Sequence, residues 1–390
     1  MGAHVMRQKG ALTMRLQDLA DHLGVAYTAL YHYFPSRDHL VEGILLWVIE
    51  QRREAFRRAS GESALDRLLD FIYCYLTEDL EHKVRFPYLG GFPAPHRKAL
   101  DKARRAVMRD IVNLIAQGIT EGSIRQCHAV TIGHVVMSYL DRFANLDDEL
   151  SAELRTRDTG SVVREMTDVL RSGLLYERVA LETPSYDMPA PEELVGASRG
   201  LNEEFDRYED IMRAATAAFN AHGAAASIPK IAAGLGVSKT VLYHYAVDKQ
   251  DLLAQVYLRC VRAVEASHRV ARDFGQSPVD EILIHRNNLF RFHSSVAGPF
   301  TLLNAMNYLR PQQHRLVRVR NQGVRAMSEQ RLSRAIDAGF VRREVHPAVV
   351  QPVIAQVLYG LPAWYRHNYP ITIMQVVQET GALLFKGLKA

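Results

Sequence analysis

The chain has 390 residues, room for two or more domains, and its 48% hydrophobic and 23% charged residues fit a globular protein and exclude wholesale disorder. A formal net charge of +5 permits a polyanionic partner without demanding one. Cys74, Cys127 and Cys260 are scattered without C-x-x-C spacing, which argues against disulfides or a cysteine zinc site. No signal sequence or membrane span is read, so a soluble, cytoplasmic protein without a membrane partner is expected.

In chain order, Leu16, Leu19, Ala20 and Leu23 predict a short amphipathic helix, Gly24 a sharp turn, and Ala26 to Tyr33 a second short helix. Ser36 is a cap for the helix that follows, with Arg37 in its first turn. Farther on, Arg52, Arg53, Arg57 and Arg58 read as the solvated face of that helix, and Arg104, Arg105 and Arg109 have the same reading on a later one. Leu65, Leu68, Leu69, Ile72 and Leu76 keep 3–4 spacing, and so do Ile211, Ala215, Ala218 and Phe219. Between these stretches Thr183 to Glu193, TPSYDMPAPEE, holds three prolines and reads as a linker. Period-two alternation is scarce, so the expected fold is all-α.

The chain repeats itself. The segment LQDLADHLGVAYTALYHYFPSRDHL from Leu16 aligns with IPKIAAGLGVSKTVLYHYAVDKQDL from Ile228 at a constant offset. Ala20, Leu23, Gly24, Val25, Thr28, Leu30, Tyr31, His32, Tyr33 and Leu40 recur as Ala232, Leu235, Gly236, Val237, Thr240, Leu242, Tyr243, His244, Tyr245 and Leu252. Downstream, GITEGSIR from Gly118 echoes AIDAGFVR from Ala335.

In the second copy, Ile228, Ile231, Ala232 and Leu235 form one helix, Gly236 the corner, Val237 its plug and Ser238 the N-cap of a second helix. A small residue at Ala232 lets the two helices approach, which is the plan of a helix-turn-helix. Lys239, Thr240, Tyr243 and His244 lie at the start or on the outer side of the second helix. Their charges and hydroxyls suit phosphates and base edges. Asp248 opens the next helix, Asp251 completes a capping-box variant, and Lys249 stands at that helix N-terminus. Tyr27, Thr28, Tyr31, His32 and Arg37 hold the matching places in the first copy. Tyr33 and Tyr245 divide between core and DNA contact, and His32 and His244 between phosphate donors and supporting partners.

These two segments resemble the DNA-binding region of the TetR family of repressors, with its I-A-x-x-x-G-V-S-x-x-T-L-Y-x-Y-F run. The resemblance covers about 45 residues in each half. It implies a three-helix DNA-binding module, an all-α ligand-binding and dimerisation region, a double-stranded DNA operator, and repression relieved by a small, apolar or amphipathic effector. The implied layout is a first module over 1–58, a regulatory region over 59–182, a linker over 183–203, a second module over 204–272 and a second regulatory region over 273–390. Departures are Ala26 for the capping serine, which weakens that helix start by roughly 1 kcal/mol, and Ala246 and Val247 where the first copy has Phe34 and Pro35. Alignment sets Met6 opposite Phe219, so the counterpart of Ile211 falls before Met1; the first module is expected to have a truncated, more mobile supporting helix.

Candidate effector-binding residues are Tyr73, Tyr75, Tyr88, His134 and Met137 in the first half, and His293, Asn304, Tyr308, Trp364 and Tyr365 in the second. Aromatic and methionine residues at helical spacing equally suit plain core. No H-E-x-x-H, Walker loop or G-x-S-x-G occurs, so no metal, cofactor or catalytic residue is expected. The resemblance further implies pairing through the last helices, here His128–Leu146 and Ser161–Ala180 on Pro347–His367 and Thr372–Lys386, as a pseudo-dimer within one chain. Two other readings stay open: a ligand sensor or scaffold that kept the fold but lost DNA binding in at least its first half, and an enzyme with an all-α pocket.

Overall fold

In the computed structural model, the described residues are 1–11, 14–78, 84, 86, 92–142, 157–177, 179, 193, 194, 203–295, 298, 306, 308–365 and 369–390. Most of the linker read from the prolines, together with Tyr88 and Asn304, lies outside them. The described chain is helical, and its bridges are two isolated pairs, Ile124 with Lys389 and Leu175 with Val341. Among the described residues no helix is long and apolar enough to cross a membrane.

The first half runs α1 (Gly2–Lys9), α2 (Leu16–Leu23), α3 (Tyr27–Tyr31), α4 (Arg37–Arg58), α5 (Ala64–Thr77), α6 (Ala94–Glu121), α7 (Ala129–Arg142) and α8 (Thr159–Ser172). The second runs α9 (Glu203–His222), α10 (Ile228–Gly234), α11 (Lys239–Tyr245), α12 (Lys249–Phe274), α13 (Pro278–Ser294), α14 (Pro311–Asp337), α15 (Pro347–Trp364) and α16 (Ile373–Lys386). The order repeats from half to half, as the duplicated sequence requires. Local signals set the boundaries. The Ser36, Ser63, Asp158, Asp248 and Ser277 side chains each accept a backbone N–H in the first turn of the helix they open.

Two compact units emerge. One comprises Met1–Leu174 with Ala348–Val357 and Gln378–Ala390; the other comprises Leu175–Pro347 with Leu358–Val377. In the first unit, α4 to α7 surround Leu68, Phe71, Ile111, Ile115 and Leu140, all buried. The end of the chain is part of this core. The Leu174 amide donates to the Leu384 carbonyl, the Leu388 amide to the Leu170 carbonyl, and the Arg125 Nε to the Gly387 carbonyl. In the second unit, α9 to α12 close over Ile211, Phe219, Ile231, Leu242 and Leu252, and Leu309 and Val317 extend this core to the start of α14.

The supporting helices differ between the halves. α1 is eight residues long and buries Ala3, Val5 and Met6, while α9 has twenty residues. α1 occupies the segment where Met6 was aligned, and it contacts both α2 and α4.

Candidate nucleic-acid interface

Each half carries a two-helix corner of the expected kind. Gly24 (φ 65°) and Gly236 (φ 67°) take left-handed backbone at the turn, where a Cβ would be strained. After them the amides of Val25 and Val237 reach back to the carbonyls of Ala20 and Ala232, satisfying the end of the first helix. Ala20 and Ala232 are buried at the crossing. Leu30 and Leu242 are the buried anchors of the second helices, which leaves the remaining faces outward.

Those outward faces carry the residues read from the sequence. Tyr27, Thr28, Tyr31 and His32 are exposed on or just beyond α3, and Ser238, Lys239, Thr240, Tyr243 and His244 on or just before α11. The two faces are not alike. Tyr27 and Tyr31 sit edge to face with ring centroids 5.3 Å apart, whereas Lys239 and Tyr243 hold the equivalent positions in α11. One face therefore offers paired phenols, the other an ammonium beside a phenol.

The expected cap at Ser238 is in position but not bonded. Its backbone is extended (φ −73°, ψ 155°), yet its hydroxyl accepts nothing from the first turn of α11. Ser238 is exposed, as are Lys239 and Thr240, and the turn closes through the Val241 amide on the Ser238 carbonyl. α3 starts from Ala26 in the same way, with the Ala29 amide on the Ala26 carbonyl. The two recognition helices thus begin without side-chain caps, and the Ala26 departure does not distinguish them.

Arg37 and Lys249, equivalent in sequence, have different surroundings. The Arg37 guanidinium donates to the carbonyls of Met14 (3.0 Å) and Ala11 (2.6 Å) and pairs with Asp38 (2.8 Å), so it braces the link between α1 and α2. Lys249 sets its ammonium 4.9 Å from the centroid of the Tyr308 ring. Gln250 donates to the Tyr308 carbonyl, and Arg310 pairs with Asp248. Tyr308 therefore supports the second DNA-binding module, against the expectation that it lines an effector pocket. The cause is the docking of Tyr308 and Arg310 on the start of α12. The capping variant is present with a shift: the Asp248 carboxylate accepts from the Asp251 amide, and Asp251 accepts from the Val247 amide.

Sequence reasoning missed Lys230, exposed on the first turn of α10, because that helix was read only for its apolar side. The two corners pack differently on their own modules. Leu23, Val25 and Tyr33 are exposed, while Leu235, Val237 and Tyr245 pack on the core of the second module.

The candidate effector residues scatter. Tyr75 is buried, accepts from the Arg52 Nε (3.0 Å), and lies under the Arg52 guanidinium, which pairs with Asp141 at 2.6 Å. Met137 is buried too, and His134, half-buried with Arg104 nearby, has its pKa lowered to about 4, chiefly by burial. Tyr73 lies apart from Tyr75, since residues two apart on a helix cannot share a face; its hydroxyl accepts from Arg164 on α8. In the second half His293 is buried on α13, and Trp364 and Tyr365 cluster with Tyr369, the Trp364 and Tyr369 centroids being 5.3 Å apart. Among the described residues, no three His, Cys, Asp or Glu side chains are placed to hold a metal ion.

Comparison with known proteins gives the same assignment for both corners. The family of bacterial regulatory proteins of the tetR type matches at residues 2–44 and again at 211–256. Two uncharacterised HTH-type transcriptional regulators, from two strains of Mycobacterium tuberculosis, are each 38% identical over 73 residues, 19% of this chain and 31% of the relative. The chain thus spans about a third of the length of these relatives. Among solved structures, the ketosteroid transcriptional regulator KstR2 of Mycobacterium tuberculosis aligns with 22% identity and a TM-score of 0.41, over 47% of this chain and 95% of that one. The TetR-family regulator PfmR of Thermus thermophilus aligns with 20% identity and a TM-score of 0.37, over 43% and 93%. Residues 2–44 and 211–256 each match the tetR family of bacterial regulatory proteins, so the chain carries that family's N-terminal module twice.

Proposed function

We propose that this chain is a cytoplasmic, sequence-specific DNA-binding transcriptional regulator in which one polypeptide supplies both recognition helices, and that a small effector bound by the regulatory helices releases it from DNA. The observation that carries this reading is the doubled helix-turn-helix with unlike exposed faces, Tyr27, Thr28 and Tyr31 on one and Lys239, Thr240 and Tyr243 on the other. Two such helices in successive major grooves, about 34–36 Å apart, read an operator whose half-sites differ. Pairing of the halves within one chain is supported by the place of Gln378–Ala390, the C-terminal segment, in the compact unit of the first half. A covalent pair keeps its halves at high effective concentration, so its DNA affinity does not depend on dimerisation.

Selection from fragmented genomic DNA, followed by affinity at two salt concentrations, tests the proposal. A discrete site with two unlike half-sites, bound more weakly at high salt, is expected. Failure to enrich any sequence with folded protein contradicts it.

One observation favours a narrower reading, in which the second module alone contacts DNA. Exposed Leu23, Val25 and Tyr33, and the engagement of Arg37 with backbone carbonyls, set the first corner apart. Recovery of a single half-site supports that version.

A further inference from the structure

Because the halves are copies, each position of one regulatory region has a control in the other. Aligned on the Y-H-Y segments, His268 stands where the first half has Phe56. Aligned on the capping serines Ser63 and Ser277, His285 and Asn288 stand for Phe71 and Cys74. Aligned on Gly122 and Gly339, Arg325, Ser328 and Arg331 stand for Met108, Ile111 and Leu114. In the first half Phe56 and Phe71 meet edge to face at 5.2 Å, and Ile111 and Leu114 are buried, as ordinary core. Six weakly polar or apolar positions have become six hydrogen-bonding ones in the second.

The replacements form one cluster where α12, α13 and α14 meet. The His268 and His285 rings stack at 3.9 Å. Ser328 Oγ lies 3.3 Å from His268 Nε2, Ser267 Oγ lies 3.0 Å from His285 Nδ1, and Arg331 donates to the His268 carbonyl. Arg331 and Arg334 share the single Glu281 carboxylate, and Arg325 pairs with Glu329, so these five side chains carry one excess positive charge. Burial, with Arg331 beside it, lowers the His268 pKa to about 3, and burial lowers that of His285 as well. Both rings are therefore neutral at pH 7, and the excess charge is that of guanidinium.

Not all of this polarity is satisfied. His268, 1% exposed, has no protein partner for Nδ1; Asn288, 2% exposed, has none for Nδ2; and Arg325 has none for its buried Nη2. Asn288 is one helical turn from His285, and Arg325 one turn from Ser328, so each shares a helix face with a member of the cluster. Leaving such groups unmet is costly in a core, and the first half folds without them. Two of the three are N–H donors, and with the excess guanidinium charge they suit an oxyanion.

We infer that the second half holds the effector site at His268, His285, Asn288, Arg325, Ser328 and Arg331, and that its ligand is a small molecule bearing a carboxylate or phosphate. The inference rests on the regulator reading above only for the word effector; the binding site stands on the cluster. The matched region of the first half is plain core and takes no such ligand.

The test uses the full chain without DNA. Thermal shift and titration calorimetry are run with sodium carboxylates from acetate to decanoate, with inorganic phosphate, and with decanol as the uncharged counterpart. At least one anionic probe should bind with one site per chain and raise Tm. Arg325→Met and Ser328→Ile install the residues that the first half already uses, so folding, checked by circular dichroism, should survive. Each should weaken that probe by about tenfold or more, while Met108→Leu in the first half leaves binding unchanged. Phosphate binding without carboxylate binding assigns the oxyanion to a phosphorylated ligand. The inference is overturned if no anionic probe binds the wild-type chain, if decanol binds as tightly as decanoate, or if both cluster variants bind like wild type. DNA affinity is measured separately: a bound anion that leaves it unchanged removes the regulatory role and keeps the site.

Discussion

The rings of Tyr208 and Tyr245 lie 6.2 Å apart, and through this contact α9 holds the end of the second recognition helix. Tyr208 is buried, bonds Arg262 through its hydroxyl at 3.1 Å, and belongs to the core of the second module. The eight-residue α1 offers nothing at this level, and Tyr33, the counterpart of Tyr245, is 78% exposed. Tyr245→Ala should destabilise the second unit by about 1–3 kcal/mol, whereas Tyr33→Ala should change stability by less than about 0.5 kcal/mol. Urea unfolding of both variants checks this; equal losses would show that the two tyrosines are supported alike.

Lys249 and Arg37 should part company in DNA binding. Lys249→Ala is expected to weaken binding to every sequence and to reduce the salt slope by about one unit, as for a lost phosphate contact. Arg37→Ala removes three bonds to Ala11, Met14 and Asp38, and should lower the stability of the first module more than it changes the salt slope. Fluorescence anisotropy at several salt concentrations, with thermal melts of the same proteins, separates the two. A slope change for Arg37→Ala alone would reverse the assignment.

Gly173 and Gly387 follow α8 and α16, with φ of 71° and 74°. A Cβ on Gly173 would lie 2.4 Å from the Phe385 carbonyl oxygen, and one on Gly387 2.3 Å from the Arg171 carbonyl oxygen. Backbone cannot give way as a side chain does, so each Gly→Ala change should cost more than about 2 kcal/mol. Gly24→Ala has the same sign of φ but open space, and should cost about 1 kcal/mol. Matching Tm losses for the three variants would contradict the close approach of the chain end to α8.

Acid should destabilise the protein before its carboxylates titrate. Burial lowers the pKa of His134 to about 4 and that of His268 to about 3, from an ordinary 6.5. The unfolded chain takes up these protons as pH falls below about 6.5 while the folded chain does not, so stability is full above that value and declines from there towards pH 4. Each such histidine contributes a slope of about 1.4 kcal/mol per pH unit in that window. Tm measured from pH 7.5 to 4.5 should fall, and His268→Phe should flatten the decline. A flat profile would mean that neither ring is kept neutral.

The helix-turn-helix corners were legible in the sequence because everything that specifies them is local. Gly24 and Gly236, the alanines at the crossing and the outward tyrosines lie within a few residues of one another, and repetition made them conspicuous. The capping at Ser36 and Asp248 was likewise set by residues three apart. Fine differences between the copies were not legible, since Ser238 occupies the cap position without making the cap bond.

What the sequence determined by itself is the repeat, the helical class and the residues on each recognition face, for helix periodicity and turn chemistry are properties of short stretches. Only the tertiary structure decided that Arg37 is spent on carbonyls 23 and 26 residues away, and that Tyr308 lies beside Lys249. It alone gave the bonds that join Leu384, Gly387 and Leu388 to Leu174, Arg125 and Leu170. Hydrogen bonding and burial depend on which helices meet, and that follows from packing over the whole chain. For the same reason six positions with no motif in common form a single polar cluster once α12, α13 and α14 are in contact.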